Sequence, residues 1–257
     1  MNTKHFTHFT PVIRAFNGDV FSPGLHVATE GRITVQYAPF EWVNPDAKLV
    51  IVGITPGETQ AVNAIVEAKR QLLTGANALQ AMIAAKRIGG FSGALRANLV
   101  AMLDRVGLPR WAGIGSSIEL FGRKADLLQT ASVLPYPVFV DGNKRYNGSP
   151  PLLRSPMLRS MVLKQFVPIV QALPSAKLLA VGDVSWETLN WLAQQGEIDS
   201  KQILGYLPHP SPASQERVNY FLGRKLKADL SKQTDAEKLD RMRQQLEQAL
   251  THASAAA

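Results

Sequence analysis

Apolar positions along the chain fall into short continuous runs, separated by stretches in which they recur at helical spacing. Residues 48–52, Lys-Leu-Val-Ile-Val, form one such run and stop at Gly53-Ile-Thr-Pro-Gly57. A β-branched run of this length is the pattern of a strand covered on both faces. Val62, Ile65, Val66, Leu72 and Leu73 follow with the periodicity of a helix. The unit recurs: residues 178–181 end at Gly182 and Asp183 ahead of a helix over 186–193, and residues 203–207 end at Pro208-His-Pro-Ser-Pro212 ahead of a helix from about Ser214. A further strand is expected over 127–134, cut by Pro135 and Pro137, with helical segments over 76–87, 92–106 and 157–173.

Strand, tight loop and helix in repetition predict an α/β fold, specifically three α/β/α layers around a central, mostly parallel sheet. Residues up to about Val43 read as an irregular extension punctuated by Gly18, Pro23, Gly24, Gly31 and Pro39, with one short strand over 32–37. Residues 1–230 are therefore expected to form a single domain. Beyond it, Thr234-Asp-Ala-Glu237 fits a capping box, and Leu239, Met242, Leu246 and Leu250 make one stripe on a charged helix. That helix reads as docked on the domain surface, or as a partner-binding element, and the last five residues as frayed.

Composition narrows the function classes. The 257 residues are 46% hydrophobic and 19% charged, as in an ordinary globular chain. A formal charge of +8 is compatible with a polyanionic partner, because Lys and Arg gain free energy by displacing counterions from phosphates. Cysteine is absent, which removes disulfides, thiolate zinc sites and cysteine-bound iron–sulfur clusters. The first residues lack a signal-peptide core, and no apolar stretch approaches the roughly 20 residues of a membrane span. A cytoplasmic monomer without membrane contact is expected.

In parallel α/β sheets, ligands sit beyond the carboxyl ends of the strands, where both Gly53-Ile-Thr-Pro-Gly57 and His209-Pro-Ser-Pro212 fall. Taken alone, the second loop reads first as a proline-stiffened turn with a solvated histidine. The pair of loops is the more specific signal.

Together these motifs resemble the uracil-DNA glycosylase superfamily. The first looks like the Gly-Met/Ile-Asn-Pro-Gly motif of its mismatch-specific and single-strand-selective branches. The second matches the family's His-Pro-Ser-Pro motif letter for letter. Residues 131–137, with Gly142, Asn143 and the Asn147-Gly-Ser-Pro150 turn behind them, look like the base-reading segment, so the resemblance covers about Val43 to Gly223. It implies a monofunctional DNA glycosylase that flips out and hydrolytically excises a base, with DNA, double- or single-stranded, as partner and without metal or cofactor.

The resemblance assigns His209, fixed between Pro208 and Pro210, to the negative charge that develops on the departing base; the alternative is a structural imidazole. Thr55 stands where relatives place the Asp or Asn that positions water. Its hydroxyl can hold water but is no base at neutral pH, so Glu58 in the same loop and Asp183 at a neighbouring strand end become candidates, Glu58 preferred. Glu58 could instead only favour the positive end of the helix behind it. Gly53, Ile54, Gln60 and Ser132 fall in the base pocket. Ser132, where the uracil-reading Asn is expected, cannot offer an amide's paired donor and acceptor; its small size leaves room for a larger modified pyrimidine, such as a glucosylated or hydroxymethylated cytosine of phage DNA. Phe91 resembles the aromatic that stacks on the extruded base, or is core.

Ser211 and Ser214 sit where the family grips phosphates, though Ser214 could simply be an N-cap. Ala213 replaces a bulky wedge, a role open to Arg217 or Val218. Lys144, Arg145, Arg154, Arg159, Arg224 and Lys225 are candidates for a basic rim. Repair and antiviral defence both remain open. Two other readings stand beside this one: a catalytically weakened member that only binds DNA or a flipped base, and an unrelated phosphate-binding hydrolase using the Gly53 loop, disfavoured because that loop lacks a P-loop lysine.

Overall fold

The computed structural model describes residues 3–255. Its strands are β1 (His26–Glu30), β2 (Ile33–Gln36), β3 (Leu49–Gly53), β4 (Leu128–Ser132), β5 (Val138–Val140), β6 (Lys144–Arg145), β7 (Lys177–Val181) and β8 (Ile203–Leu207). Its helices are α1 (Lys4–Ala15), α2 (Glu58–Leu73), α3 (Ala78–Gly89), α4 (Ala94–Arg105), α5 (Leu108–Ala112), α6 (Pro156–Met161), α7 (Val167–Gln171), α8 (Asp183–Gln194), α9 (Gln215–Phe221) and α10 (Ala236–Ala255). The fold is mixed α/β: a parallel four-stranded sheet in the order β4-β3-β7-β8 is flanked by helices, consistent with three α/β/α layers. The wholly buried run of β3 explains why its sequence is continuous rather than alternating.

The chain divides into two compact units. One holds the residues up to Pro45 together with Gly53–Gly93 and Thr130–Ala172; the other holds Asp46–Val52, Ala94–Gln129 and the residues from Leu173 onward. In the first, β1, β2, β5 and β6 form an antiparallel sheet in that order. In the second, β7 pairs in parallel with β3 on one side and β8 on the other. Opposite Leu178 and Leu179, β8 supplies Ile203 and Gly205, so Leu204 is an extra residue and the strand bulges there.

The N-terminal part is more ordered than its sequence predicts. Phe6, Phe9 and Ile13 are buried on one face of α1, and Phe16 just beyond it is buried as well. Pro11 removes one helical hydrogen bond but lies on the exposed face, where water can satisfy the freed carbonyl. The helix expected over 157–173 is also interrupted: Pro168 lacks the N–H that would close the preceding turn, and Val162–Phe166 widens into a π-helical turn between α6 and α7.

The cap of α10 falls one residue later than expected. Asp235 accepts the Lys238 N–H at 2.9 Å, while the Thr234 hydroxyl donates to Glu216 at 2.5 Å. The predicted stripe is buried throughout, at Leu239, Met242, Leu246 and Leu250. Of the end read as frayed, residues up to Ala255 are helical and the final two lie outside the described residues.

Candidate functional site

Within the first unit, the loop after β3 is fixed by its own chemistry. Thr55 is buried at 4% exposure; its hydroxyl donates to the Tyr136 carbonyl at 2.9 Å and accepts the Val138 N–H at 3.0 Å. Its hydroxyl is thus a pin between the loop and the chain entering β5. Gly57 opens α2, and its N–H donates to the Gln60 side chain at 3.2 Å, which makes Gln60 a capping residue. Glu58 stands exposed in the first turn of α2, where a carboxylate complements the helix dipole.

Gly53 packs closely. A β-carbon there would lie 3.4 Å from the Phe91 ring and 3.7 Å from the Ser132 hydroxyl, so these three predicted base-pocket residues do come together. Ile54 is buried beside Gly53 in sequence. Phe91 holds its ring there with φ +48°, a left-handed conformation costing a bulky residue roughly 1–3 kcal/mol. It is only 8% exposed. Asn63 steadies the loop by donating to the Ser92 hydroxyl at 3.0 Å.

Within the second unit, adjacent parallel strands end side by side. The Gly182 N–H donates to the Leu207 carbonyl at 2.8 Å, joining the end of β7 to that of β8. Trp186 of α8 stacks on Tyr206 of β8 at 4.7 Å and 6°. Gly182 adopts φ +84°, and a β-carbon would lie 3.6 Å from the His209 ring, so glycine serves both the turn and the approach of the imidazole. The His-Pro-Ser-Pro loop is held from α4: the Asn98 amide donates at 3.0 Å to the Pro210 carbonyl and to the Gln215 side chain.

The Ser211 N–H donates to His209 Nδ1 at 3.2 Å. A nitrogen that accepts a hydrogen bond carries no proton, so the neutral ring holds its proton on Nε2. His209 lines a cavity of about 270 Å³ with Gly182, Asp183, Arg217 and, from α10 and the turn before it, Gln233, Asp235, Lys238, Leu239 and Met242. Lys238 Nζ meets Asp183 Oδ1 at 2.6 Å. Burial draws the Lys238 ammonium down, but the hydrogen bond and charge of Asp183, joined by Tyr206 and Asp235, together outweigh it, and the net direction is upward.

The lead-in to α10 is tied to α9 by Glu216, which accepts from Lys225, from the Ser231 N–H and hydroxyl, and from Thr234. These bonds, Lys225 foremost, hold its carboxyl well below the usual range, at about 2. Ser211 and Ser214 bring their hydroxyls to 3.4 Å. Val218 is fully buried and cannot serve as a wedge; Arg217 is exposed beside the cavity. Lys225 and Lys144 are engaged by Glu216 and Asp141; Arg154, Arg159 and Arg224 are exposed, and burial draws the Arg145 guanidinium down from its ordinary value.

One cluster in the first unit has no counterpart in the sequence reading. Lys86 of α3 is 5% exposed, donates to the Phe40 carbonyl at 2.6 Å and lies 5.5 Å from the centre of the Phe40 ring. Burial, only partly opposed by the charge of Glu41, pulls its ammonium down to about 7. Glu41 accepts the Tyr136 hydroxyl at 3.1 Å, and His5 of α1 approaches the same carboxylate at 3.7 Å. Burial pushes Glu41 up to about 6, against the hydrogen bonds and the Lys86 charge that pull it down. In sequence, Lys86 and Arg87 look like an ordinary basic last turn, and nothing signals that only one of them faces water.

Among the described residues, no group of three or more His, Asp or Glu side chains is arranged to hold a metal ion. None of their helices is long and apolar enough to cross a membrane. The two units present strand-end loops of different kinds, and the second defines an α/β protein with a proline-framed imidazole at the mouth of a polar cavity. The chain is 35% identical over 217 residues to the uncharacterized protein YoxB of Bacillus subtilis (strain 168), a match that spans 83% of this chain and 84% of that one. It belongs to the same family as YoxB. No protein-family model matches the chain, and no solved structure does.

Proposed function

We propose that the protein is a DNA glycosylase, which everts an abnormal or modified base and hydrolyses its bond to deoxyribose, leaving an abasic site. The observation that carries this reading is the state of His209: its Nδ1 accepts the Ser211 N–H, its neutral form holds the proton on Nε2, and the ring borders a cavity. Breaking the glycosidic bond places negative charge on the departing base. A donor that needs no reorganisation lowers that barrier most. Pro208, Pro210 and the Asn98 bond to the loop supply such rigidity. At about 270 Å³ the cavity lies just below the usual range of small-molecule sites, roughly 300–1,000 Å³.

The resemblance of His209-Pro-Ser-Pro212 and Gly53-Ile-Thr-Pro-Gly57 to the uracil-DNA glycosylase superfamily supports the same reaction. The substrate is a uracil-like base or a larger modified pyrimidine, and Ser132 in place of an amide favours the larger one. The reading takes the protein to be a cytoplasmic monomer serving repair or defence against phage. A second reading, a member that binds DNA or a flipped base without cleaving, is favoured by one observation: the Thr55 hydroxyl is already committed to the main chain of Tyr136 and Val138.

The two separate in one assay. Uracil-containing DNA and phage DNA carrying modified cytosines are incubated with the protein, and released base is identified by mass spectrometry. Release that leaves alkali-labile sites supports the glycosylase; binding without release over hours supports the second reading. In an active protein His209→Ala lowers the rate by roughly two to three orders of magnitude, as loss of an oxyanion donor does. An unchanged rate refutes its role.

A further inference from the structure

We infer that Asp183 is the carboxylate that orients and deprotonates the attacking water, and that Lys238 of α10 is its positioning residue, an assignment that rests on the glycosylase reading above. Hydrolysis needs two groups of opposite bias in one cavity: a donor for the leaving base and an acceptor for water. Asp183 and His209 line the same cavity, on the ends of neighbouring parallel strands joined by the Gly182 to Leu207 hydrogen bond. The Thr55 hydroxyl, by contrast, is held on both sides by main chain, and a hydroxyl would be the weaker base in any case.

Lys238 meets Oδ1 at 2.6 Å, and the Asp183 side chain is 47% exposed, so the carboxylate has a cation at one oxygen and stands open to water. Asp183 is also the first residue of the twelve-residue α8, so its backbone is set by the helix that follows β7. Arg217 and Asp235 are the other charged side chains on the cavity wall. In the step assigned here the C1′–N bond breaks and its electron pair leaves with the base, whose oxygen receives the hydrogen bond from His209 Nε2. The water oxygen bonds to C1′, and its proton passes to Asp183. Atoms and charge balance without a further reactant.

The test measures kcat and KM for base release on whichever substrate the wild-type protein cleaves. Asp183→Asn is expected to lower kcat roughly 100-fold or more with KM little changed. Asp183→Ala is expected to lose as much and to recover in part when formate is added, because the small carboxylate can occupy the vacated place. Lys238→Met should lower kcat about tenfold, whereas Lys238→Arg, which keeps a cation at that position, should retain most of it. An Asp183→Asn rate equal to wild type overturns the assignment, as does an Asp183→Ala loss that formate leaves untouched. Absence of release by the wild-type protein on every substrate defeats the glycosylase reading itself, and this role with it.

Discussion

Lys86 and Glu41 carry the clearest consequence at the scale of single residues. Glu41 titrates near 6 when folded, above its ordinary 4.5, so its contribution to stability is fully present below about pH 4.5 and is lost as pH rises through 6. Lys86 titrates near 7 rather than 10.5, so its contribution is present at high pH and is lost as pH falls through 7. The stabilising contribution of the cluster is therefore smallest between about pH 6 and 7. The Glu41 part alone is on the order of 2 kcal/mol. Thermal melts from pH 5 to 9 should show this dip in the wild-type protein and a flatter curve in the Glu41→Gln/Lys86→Met double variant; identical curves would dismiss the cluster as the cause. Neither residue was legible as special in the sequence, because burial of a charge depends on which neighbours close over it. His209 was legible, since the prolines around it are local. Its tautomer was not: that follows from the direction of one backbone N–H, at Ser211.

Among the elements, α10 depends on a glycine in β8. Gly205 has φ +145°, and a β-carbon there would lie 2.9 Å from Leu246 Cδ2. Gly205→Ala is therefore expected to destabilise the protein by about 1–3 kcal/mol through overpacking. Leu246→Ala, which leaves a void at a fully buried position, should cost about 2–5 kcal/mol. Their double variant should lose less than the sum, because the alanine methyl enters space the leucine vacated. Chemical denaturation of the three variants measures this, and strict additivity would mean that the contact is not shared. The strands of the parallel sheet were readable because burial on both faces leaves an uninterrupted apolar run, as at β3 and β7. The helix α1 was missed because the glycines and prolines from Gly18 to Pro39 marked the whole N-terminal part as irregular, although the buried Phe6, Phe9 and Ile13 lie on one helical face. The stripe on α10 was visible, but the sequence could not say that this helix walls the His209 cavity.

For the whole molecule, a charge of +8 makes any grip on DNA dependent on salt. If DNA is the partner, log affinity should fall linearly with log salt, and Arg217→Ala, beside the cavity, should reduce the slope by about one when it touches a phosphate. Filter binding between 50 and 300 mM salt reads this directly, and an unaltered slope would remove Arg217 from the interface. The stretch that resembles a glycosylase ends near Gly223, yet Gln233, Asp235, Lys238, Leu239 and Met242 all border the cavity. That part of the wall therefore leaves the ribosome after the imidazole and the carboxylate it borders. A nascent chain halted before Gln233 would carry His209 and Asp183 with only the Gly182, Pro208 and Arg217 part of the wall, so the chamber is completed only once α10 has been made.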